Sequence, residues 1–235
     1  MGTLGIIGGI APESTIDYYR RIIAAYRIAM PDGSYPKIII NSINMSQLLA
    51  HAASNDLSAM ADYLTKEVAV LARAGANVAL FASNTPHLVF DAVQKKSDIP
   101  LISIVETTFK KAQTGGFSRV GLLGTKFTMQ SGFYENVFKT QNISVVSPKS
   151  DEQEFIHSRY IGELVEGVFN SETRTQIISI IESMSLREGL DAVILAGTEL
   201  PLLLRTESVN SIPLLDTTGI HVDAAINQLL NQINP

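Results

Sequence analysis

The sequence predicts an α/β fold with parallel-rich sheets. Short β-branched runs alternate with longer segments of helical period, and several of these runs are apolar at consecutive positions. Consecutive apolar positions are typical of strands covered on both faces, as in parallel sheets. The alternation of strand and helix predicts right-handed crossover connections. The chain has 235 residues, of which 46% are hydrophobic and 17% charged, enough to bury a sizeable core.

The hydrophobic pattern of each segment predicts whether it forms a strand or a helix. The predicted strands are Thr3–Ile7, Lys37–Ser42, Asn77–Ala82, Leu101–Ile104, Arg119–Leu123, Ile143–Ser147, Ala192–Leu195 and Pro213–Leu214. The predicted helices cover residues 14–29, 56–74, 87–95, 106–114, 129–139, 152–168, 172–187 and 218–233.

Two internal echoes indicate a duplicated unit. The segment Gly5–Gly9 recurs as Gly121–Thr125, and Val78–Thr85 recurs as Ala192–Glu199, at nearly the same offset. Each echo is a strand followed by a turn of small residues. We therefore expect two pseudo-symmetric, Rossmann-like domains. The N-terminal domain would comprise residues 1–112 with 212–235, and the C-terminal domain residues 113–211.

The strand ends are the expected ligand-binding region. Open α/β sheets bind ligands beyond the carboxyl ends of their strands. Two facing units would then enclose an inter-domain cleft. We expect it to be lined by residues 8–15, 83–87, 124–128 and 197–199.

Composition excludes several function classes. The formal net charge of -5 offers no basic surface for nucleic acid, and the absence of cysteine excludes disulfides and thiol chemistry. The four histidines show no i,i+3 or i,i+4 pairing, so no metal site is expected. No apolar run reaches the roughly 18 residues of a membrane span. The start reads as a strand rather than a charged leader, so we expect a cytoplasmic protein without a membrane partner.

The turn Gly8–Thr15 lies between a predicted strand and a predicted helix. Its glycines allow close backbone approach, and Ser14 and Thr15 can cap a helix whose free amides attract an anion. An ordinary tight turn with a capped helix explains it equally well. The dinucleotide fingerprint fails, because Ile7 and Ile10 stand where it needs glycine.

Two further turns carry polar side chains. Ser83, Asn84 and Thr85 follow a strand and offer hydrogen bonds to a carboxylate or an amino group, although Asn or Thr there also fits a helix cap. His87 is more simply a structural histidine than a catalyst. Glu199 follows another strand and is either a solvated carboxylate or an inward-facing one.

Together these turns resemble the aspartate/glutamate racemase family, amino-acid racemases that need no pyridoxal cofactor. The resemblance covers essentially the whole chain. It rests on Gly8–Tyr19, Ser83-Asn84-Thr85-Pro86-His87, Gly124–Met129 with Tyr134, Gly197-Thr198-Glu199-Leu200-Pro201-Leu202-Leu203 and Asp216-Thr217-Thr218 with His221.

The resemblance implies two α/β domains, an active site in the cleft between them, and commonly a homodimer. It also implies that two cysteines exchange the Cα proton of the substrate, one before Asn-Thr and one before Thr-Glu. Those positions are Ser83 and Gly197 here, so the two-thiol mechanism is absent. Glu199 joins them as a catalytic candidate. The implied substrate-binding residues are Gly9, Pro12, Asn84, Thr85, Thr125, Thr128 and Thr198.

Three functions remain open at this point. The chain is an isomerase of small acidic amino acids in which Glu199, His87 or a held water acts as base and Ser83 relays a proton. Alternatively it is a lyase or decarboxylase acting on a carboxylate substrate, or an amino-acid-binding paralogue without turnover. Isomerase is the favoured label. Asn44, Ser46 and Lys126 are candidates for recognising an acidic side chain, and Tyr134 and Tyr160 line either the pocket or the core.

Overall fold

The computed structural model of the chain describes residues 2–231. These residues form two compact units, one comprising residues 2–104 and 221–231 and the other residues 105–220. Each unit contains one sheet of mainly parallel strands with helices packed against it.

The secondary structure alternates as the sequence predicts. In the described range the strands are β1 (Thr3–Gly8), β2 (Lys37–Ser42), β3 (Val78–Phe81), β4 (Leu101–Ile102), β5 (Arg119–Gly124), β6 (Ser144–Val146), β7 (Ala192–Ala196), β8 (Ser208–Val209) and β9 (Ile212–Asp216). The α-helices there are α1 (Pro12–Ala29), α2 (Met45–Ala53), α3 (Leu57–Arg73), α4 (Phe90–Lys96), α5 (Ile104–Thr114), α6 (Lys126–Gln130), α7 (Phe133–Phe138), α8 (Ser150–Arg159), α9 (Ser171–Glu188), α10 (Leu200–Leu204) and α11 (Thr217–Asn231).

The two sheets repeat one strand order. The first sheet runs β2-β1-β3-β4 and the second runs β6-β5-β7-β9-β8, with every pair parallel except β8 with β9. Strands β1 and β3 of the first unit therefore correspond to β5 and β7 of the second. These are the strands that carry the two sequence echoes. The predicted α/β fold with parallel-rich sheets is confirmed.

Alternation along the strands buries both faces of the first sheet. Ile7 and Phe81 face the core built with α2, α3 and α4, whereas Leu4 and Leu80 face the core built with α1 and α11. Successive strand residues point to opposite faces, so a run without polar positions requires helices on both sides. The run in β2 differs. Ile40 is 40% exposed, because β2 is an edge strand.

The domain boundary differs from the expected one. The predicted strand Pro213–Leu214 extends to Ile212–Asp216 and pairs with β7, so it belongs to the second sheet rather than to the N-terminal domain. The second unit consequently extends from residue 105 to residue 220. An apolar run does not specify which strand it pairs with, so the sequence left this assignment open.

Several elements also depart from the predicted list. Helix α2 begins where the Asn44 side chain accepts hydrogen bonds from the Ser46 and Gln47 amides, a cap missed in the sequence. The predicted helix 129–139 is two helices, because Gly132 adopts a positive φ of 76° between them. Residues 232 and 233 of the last predicted helix lie outside the described residues. Within the described range no helix is long and apolar enough to cross a membrane.

Candidate active site

Each unit has a topological switch point at its two central strands. In the first unit the chain leaves β1 for β2 on one side and later returns to β3 on the other side. The second unit repeats this arrangement with β5, β6 and β7. Ligands of open α/β sheets bind in the crevice at the carboxyl ends of the strands that flank such a point. The turns after β1, β3, β5 and β7 are therefore the candidate positions, taken unit by unit.

The turn after β1 uses its polar groups to hold the chain. Gly9 has a φ of 79°, and a Cβ there would lie 2.6 Å from the Ile43 carbonyl oxygen, so glycine is required. The Gly9 amide donates to Thr15 Oγ1 at 2.8 Å, and Ser14 Oγ donates to the Ala82 carbonyl at 2.7 Å. Pro12 is exposed at the first position of α1. This turn fixes α1 against the end of β3.

The turn after β3, Ser83–Thr85, buries three polar side chains. Ser83 is 7% exposed, and Asn84 and Thr85 are also buried. A 3₁₀ turn follows at Thr85–Val89, in which the His87 amide donates to the Asn84 carbonyl at 2.9 Å. Burying hydroxyl and amide groups at a strand end is costly unless protein or ligand groups bond to them. These side chains can hold a carboxylate or an ammonium group.

His87 lies behind this turn and is structural. Its Nε2 accepts from the Ile104 amide at 3.0 Å, and its ring stacks on Phe90. Burial, together with nearby His221, lowers the pKa of His87 to about 3, against the favourable effect of the Asn84 and Ser83 carbonyls. The imidazole is neutral at pH 7, and its basic nitrogen is already occupied. His87 is therefore unsuited to act as the base.

His221 completes a second buried hydrogen-bond chain in the first unit. Its Nε2 donates to the Ile102 carbonyl at 2.9 Å, so its Nδ1 accepts from the Tyr18 hydroxyl at 2.9 Å. Burial lowers the pKa of His221 to about 4. Together His87 and His221 anchor the backbone at Ile102 and Ile104, next to the point where the chain leaves the first unit.

The turn after β5 mirrors the turn after β1. Thr125 caps α6 by accepting from the Thr128 amide at 3.3 Å, and the two hydroxyls lie 3.1 Å apart. Gly124 ends β5, and a Cβ there would lie 2.6 Å from the Ala196 carbonyl oxygen. The same Cβ would lie 3.1 Å from Cβ of Thr128, and a Cβ at Gly8 would lie 2.7 Å from Oγ1 of Thr15. In each unit a glycine and a helix threonine thus close the end of the first strand.

The turn after β7, Gly197–Glu199, holds a buried carboxylate. Glu199 is 1% exposed, so it is not a solvated surface carboxylate. Its Oε2 accepts from the Thr198 hydroxyl at 3.0 Å and from the Tyr160 hydroxyl. Hydrogen bonds from hydroxyls to a carboxylate are among the stronger ones in proteins. This cluster of one carboxylate and two hydroxyls is the most polar buried group at the β7 end.

Tyr160 reaches the cluster from a π-helical turn. Helix α8 ends at Arg159, and the π-helical turn Tyr160–Leu164 follows it. Such turns occur mostly as single bulges and are frequent at functional sites. The Tyr160 ring is 6% exposed, and burial together with the neighbouring Glu199 raises the pKa of its hydroxyl well above the usual value. The phenol is therefore protonated at neutral pH and donates to Glu199.

The ring of Tyr160 fills the space beside Gly197. A Cβ at position 197 would lie 3.0 Å from both Cζ and Oη of Tyr160, and Cε2 is nearer still. Gly197 has no positive φ, so the constraint is steric rather than conformational. Sequence reasoning treated position 197 as a missing side chain. In the structure the side chain of another residue occupies that place.

The side chains of two candidates for acidic recognition, Asn44 and Lys126, have other partners. The Asn44 side chain caps α2 and the Ser46 amide donates to it at 3.0 Å. Lys126 Nζ forms an exposed ion pair with Glu154 at 2.8 Å. Tyr134 is fully buried against Phe138, in the core rather than at a strand end. Among residues 2–231 no group of three or more His, Asp or Glu side chains is placed to hold a metal ion.

The whole chain is similar to known proteins. The family model for Asp/Glu/Hydantoin racemase matches residues 7–225. The broad specificity amino-acid racemase RacX of Bacillus subtilis (strain 168) is 24% identical over 234 residues, covering 97% of this chain and 98% of RacX.

Two solved structures extend the comparison. PH1733, an aspartate racemase homologue from Pyrococcus horikoshii OT3, is 34% identical with a TM-score of 0.83, over 98% of this chain and 100% of that one. The aspartate racemase of Picrophilus torridus has a TM-score of 0.77 at 23% identity, over 97% of this chain and 94% of that one, a likeness that shows the fold.

The structure and the comparisons agree on a class of protein. Two α/β units with one strand order, each with buried polar side chains beyond its central strands, define a duplicated α/β protein with candidate ligand sites at its strand ends. The chain belongs to the Asp/Glu/Hydantoin racemase family. The resemblance drawn from its motifs is confirmed at the level of the family.

Proposed function

We propose that this chain is a pyridoxal-independent amino-acid isomerase that binds a small acidic amino acid and transfers its Cα proton. One observation carries the proposal most directly. Glu199, a buried carboxylate bonded by two hydroxyls, lies at the end of β7, within two residues of the place where the family resemblance puts a proton-transferring thiol. A carboxylate held in this way is a candidate general base.

The turn after β3 supplies the substrate-binding half of the proposal. Ser83, Asn84 and Thr85 present hydroxyl and amide groups from a buried strand end. Such groups suit the carboxylate and ammonium groups that all amino acids share. Thr198 has its hydroxyl bonded to Glu199, and Thr125 and Thr128 bond to each other, so in this proposal their part in binding is to shape the site.

The chemistry must proceed without thiols. The chain contains no cysteine, so the two-thiol exchange implied by the resemblance is excluded. A serine hydroxyl is a weak acid and acts in proton transfer only beside a base. We therefore assign the basic role to the Glu199 cluster and a relay role to Ser83. His87 is not part of the proposed machinery, because its pKa and its bond to the Ile104 amide keep it neutral.

Deuterium exchange tests the proposal. The protein is incubated in heavy water with L- and D-aspartate and with L- and D-glutamate, and the Cα proton is followed by NMR. Neutral amino acids join the panel, because the relative RacX is a broad specificity racemase. We expect Cα deuteration with inversion for at least one acidic amino acid, and a higher melting temperature in its presence. No exchange and no thermal shift with any substrate would refute the proposal.

A second candidate is amino-acid binding without turnover. It is favoured by the Tyr160 ring, which occupies the side-chain space at Gly197 where the resemblance places a thiol. A thermal shift without Cα exchange supports this function and contradicts the isomerase. Consumption of the amino acid without inversion supports the lyase or decarboxylase instead.

We also propose a homodimer that uses no dissociable pyridoxal group. Both points are supported by the family likeness. Light scattering coupled to size exclusion tests the first. The second predicts full exchange activity after prolonged dialysis against a carbonyl reagent, and loss of activity in that treatment contradicts it.

A further inference from the structure

The side chain of Tyr160 lies beside position 197. Glycine is present there although its backbone conformation is open to other residues, and the ring of Tyr160 fills the adjoining space. The ring comes from the second unit itself, so the relation is internal to one compact body. If Tyr160 served only to fill this space, its hydroxyl would not need a particular hydrogen-bond partner.

The hydroxyl is aimed instead at the carboxylate of the same turn. Tyr160 Oη donates to Oε2 of Glu199, the oxygen that also accepts from Thr198. Oη would lie 3.0 Å from a Cβ at position 197, next to the ring edge that fills the Cβ place, so a proton-carrying oxygen lies beside the position where a side chain of residue 197 would begin. The π-helical turn that starts at Tyr160 directs the ring to this place.

We propose that Tyr160 replaces the missing thiol at position 197 and, with Glu199 behind it, forms the proton-transfer pair of the second unit. This inference rests on the proposed function and names a catalytic residue for it. The phenol and the carboxylate have complementary roles. The phenol oxygen contacts the substrate, and the carboxylate supplies the basicity that a protonated phenol lacks.

The step balances within the pair and the substrate. The Cα–H bond breaks, and its proton forms a new O–H bond at Tyr160 Oη while the original phenol proton passes to Oε2 of Glu199. The electron pair stays on Cα and delocalises into the substrate carboxyl group. Return of a proton by the reverse path re-forms the Cα–H bond in its original configuration, and inversion requires that a proton reach the opposite face of Cα. Exchange of the pair's proton with water in the interval places deuterium on Cα.

The pair Tyr160 and Glu199 should also determine how the rate of Cα exchange depends on pH. A thiol with a pKa near 8.5 gives a limb in the alkaline range. Burial and Glu199 hold the pKa of Tyr160 well above its usual value, so the phenol stays protonated through that range. We expect Cα exchange to show no limb between pH about 8 and 9.

Four forms of the full chain test the inference: the parent, Tyr160→Phe, Glu199→Gln and the control Tyr134→Phe. Phenylalanine at 160 keeps the ring beside Gly197 and removes only the hydroxyl. Tyr134 is a buried tyrosine of the same unit that packs against Phe138. We expect Tyr160→Phe and Glu199→Gln to slow Cα exchange of aspartate by about 100-fold or more, and Tyr134→Phe by less than about twofold.

A second readout does not depend on turnover. In protein labelled with carbon-13 at tyrosine Cζ, the Tyr160 resonance is assigned by its loss in Tyr160→Phe. We expect L-aspartate to shift this resonance and to leave that of Tyr134 in place.

The outcomes separate the two proposals. Exchange by the parent that Tyr160→Phe retains overturns the inference and leaves the isomerase standing. A shifted Tyr160 resonance without exchange overturns proton transfer by this pair. No exchange, no shifted resonance and no thermal shift overturn both.

Discussion

Substituting Gly197 with alanine should be costly because of Tyr160. The added Cβ would lie 3.0 Å from Cζ and Oη of the ring, inside ordinary van der Waals distance, so the ring must move. Overpacking of this kind costs about 1–3 kcal/mol. Displacing the ring also weakens its hydrogen bond to the Glu199 carboxylate, worth about 1.5–3 kcal/mol. After the stabilising loss of unfolded-state freedom, about 0.4–1 kcal/mol, we expect a net destabilisation of about 1.5–5.5 kcal/mol.

Urea unfolding followed by circular dichroism measures this loss. The matched control is Gly162→Ala, because a Cβ at Gly162 meets nothing within 4 Å and its φ is not positive. That control should be neutral or slightly stabilising, by up to about 1 kcal/mol.

A double-mutant cycle then links the cost to the ring. In a Tyr160→Leu background, Gly197→Ala should cost at least about 1 kcal/mol less than in the parent. Additive effects, or a Gly197→Ala protein as stable as the parent, would show that Tyr160 does not fill this space.

Three further predictions concern the histidines, Ser83 and the surface. The pKa values of His87 and His221 are lowered to about 3 and about 4, so the unfolded chain takes up protons that the folded chain excludes below pH about 6.5. The free energy of unfolding should therefore fall by on the order of 5 kcal/mol between pH 7 and pH about 4. Urea titrations that give the same free energy of unfolding at both pH values would contradict the lowered pKa values of the two histidines. Ser83→Cys creates a lone thiol in a chain without cysteine. If the turn after β3 holds the ligand, L-aspartate should slow alkylation of this thiol by about threefold or more. Equal alkylation rates with and without L-aspartate would argue against binding at this turn. Lys126→Met removes an exposed ion pair with Glu154 and should lower the free energy of unfolding by less than about 1 kcal/mol, whereas a larger loss in thermal denaturation would show a structural role.

The sheets were predictable because their signal is local. Runs such as Val78–Phe81 and Ala192–Ala196 have no polar position, and they are the buried strands at the centre of each unit. The echoes between them predicted the duplicated unit for the same reason. The sequence also placed Ser83 and Glu199 at strand ends, because a polar residue directly after such a run lies at the carboxyl edge.

The partner of Glu199 was not predictable in the same way. Tyr160 lies inside the predicted helix 152–168, and the π-helical turn that begins there has no recognised local pattern in the sequence. The sequence left it undecided between pocket and core. The strand Ile212–Asp216 shows a related limit, since its assignment to the second sheet comes from pairing with β7. In both cases the structure depends on contacts between residues that are distant in the sequence.

Optical activity measured from both enantiomers tests the central claim, that this cysteine-free family member moves a Cα proton. Starting from pure L-aspartate and from pure D-aspartate, we expect both solutions to lose optical rotation and converge on zero. Because enantiomers have equal free energies, kcat/KM must then be the same in both directions. Rotation that stays constant with the parent protein, in samples where the amino acid raises its melting temperature, would contradict the claim.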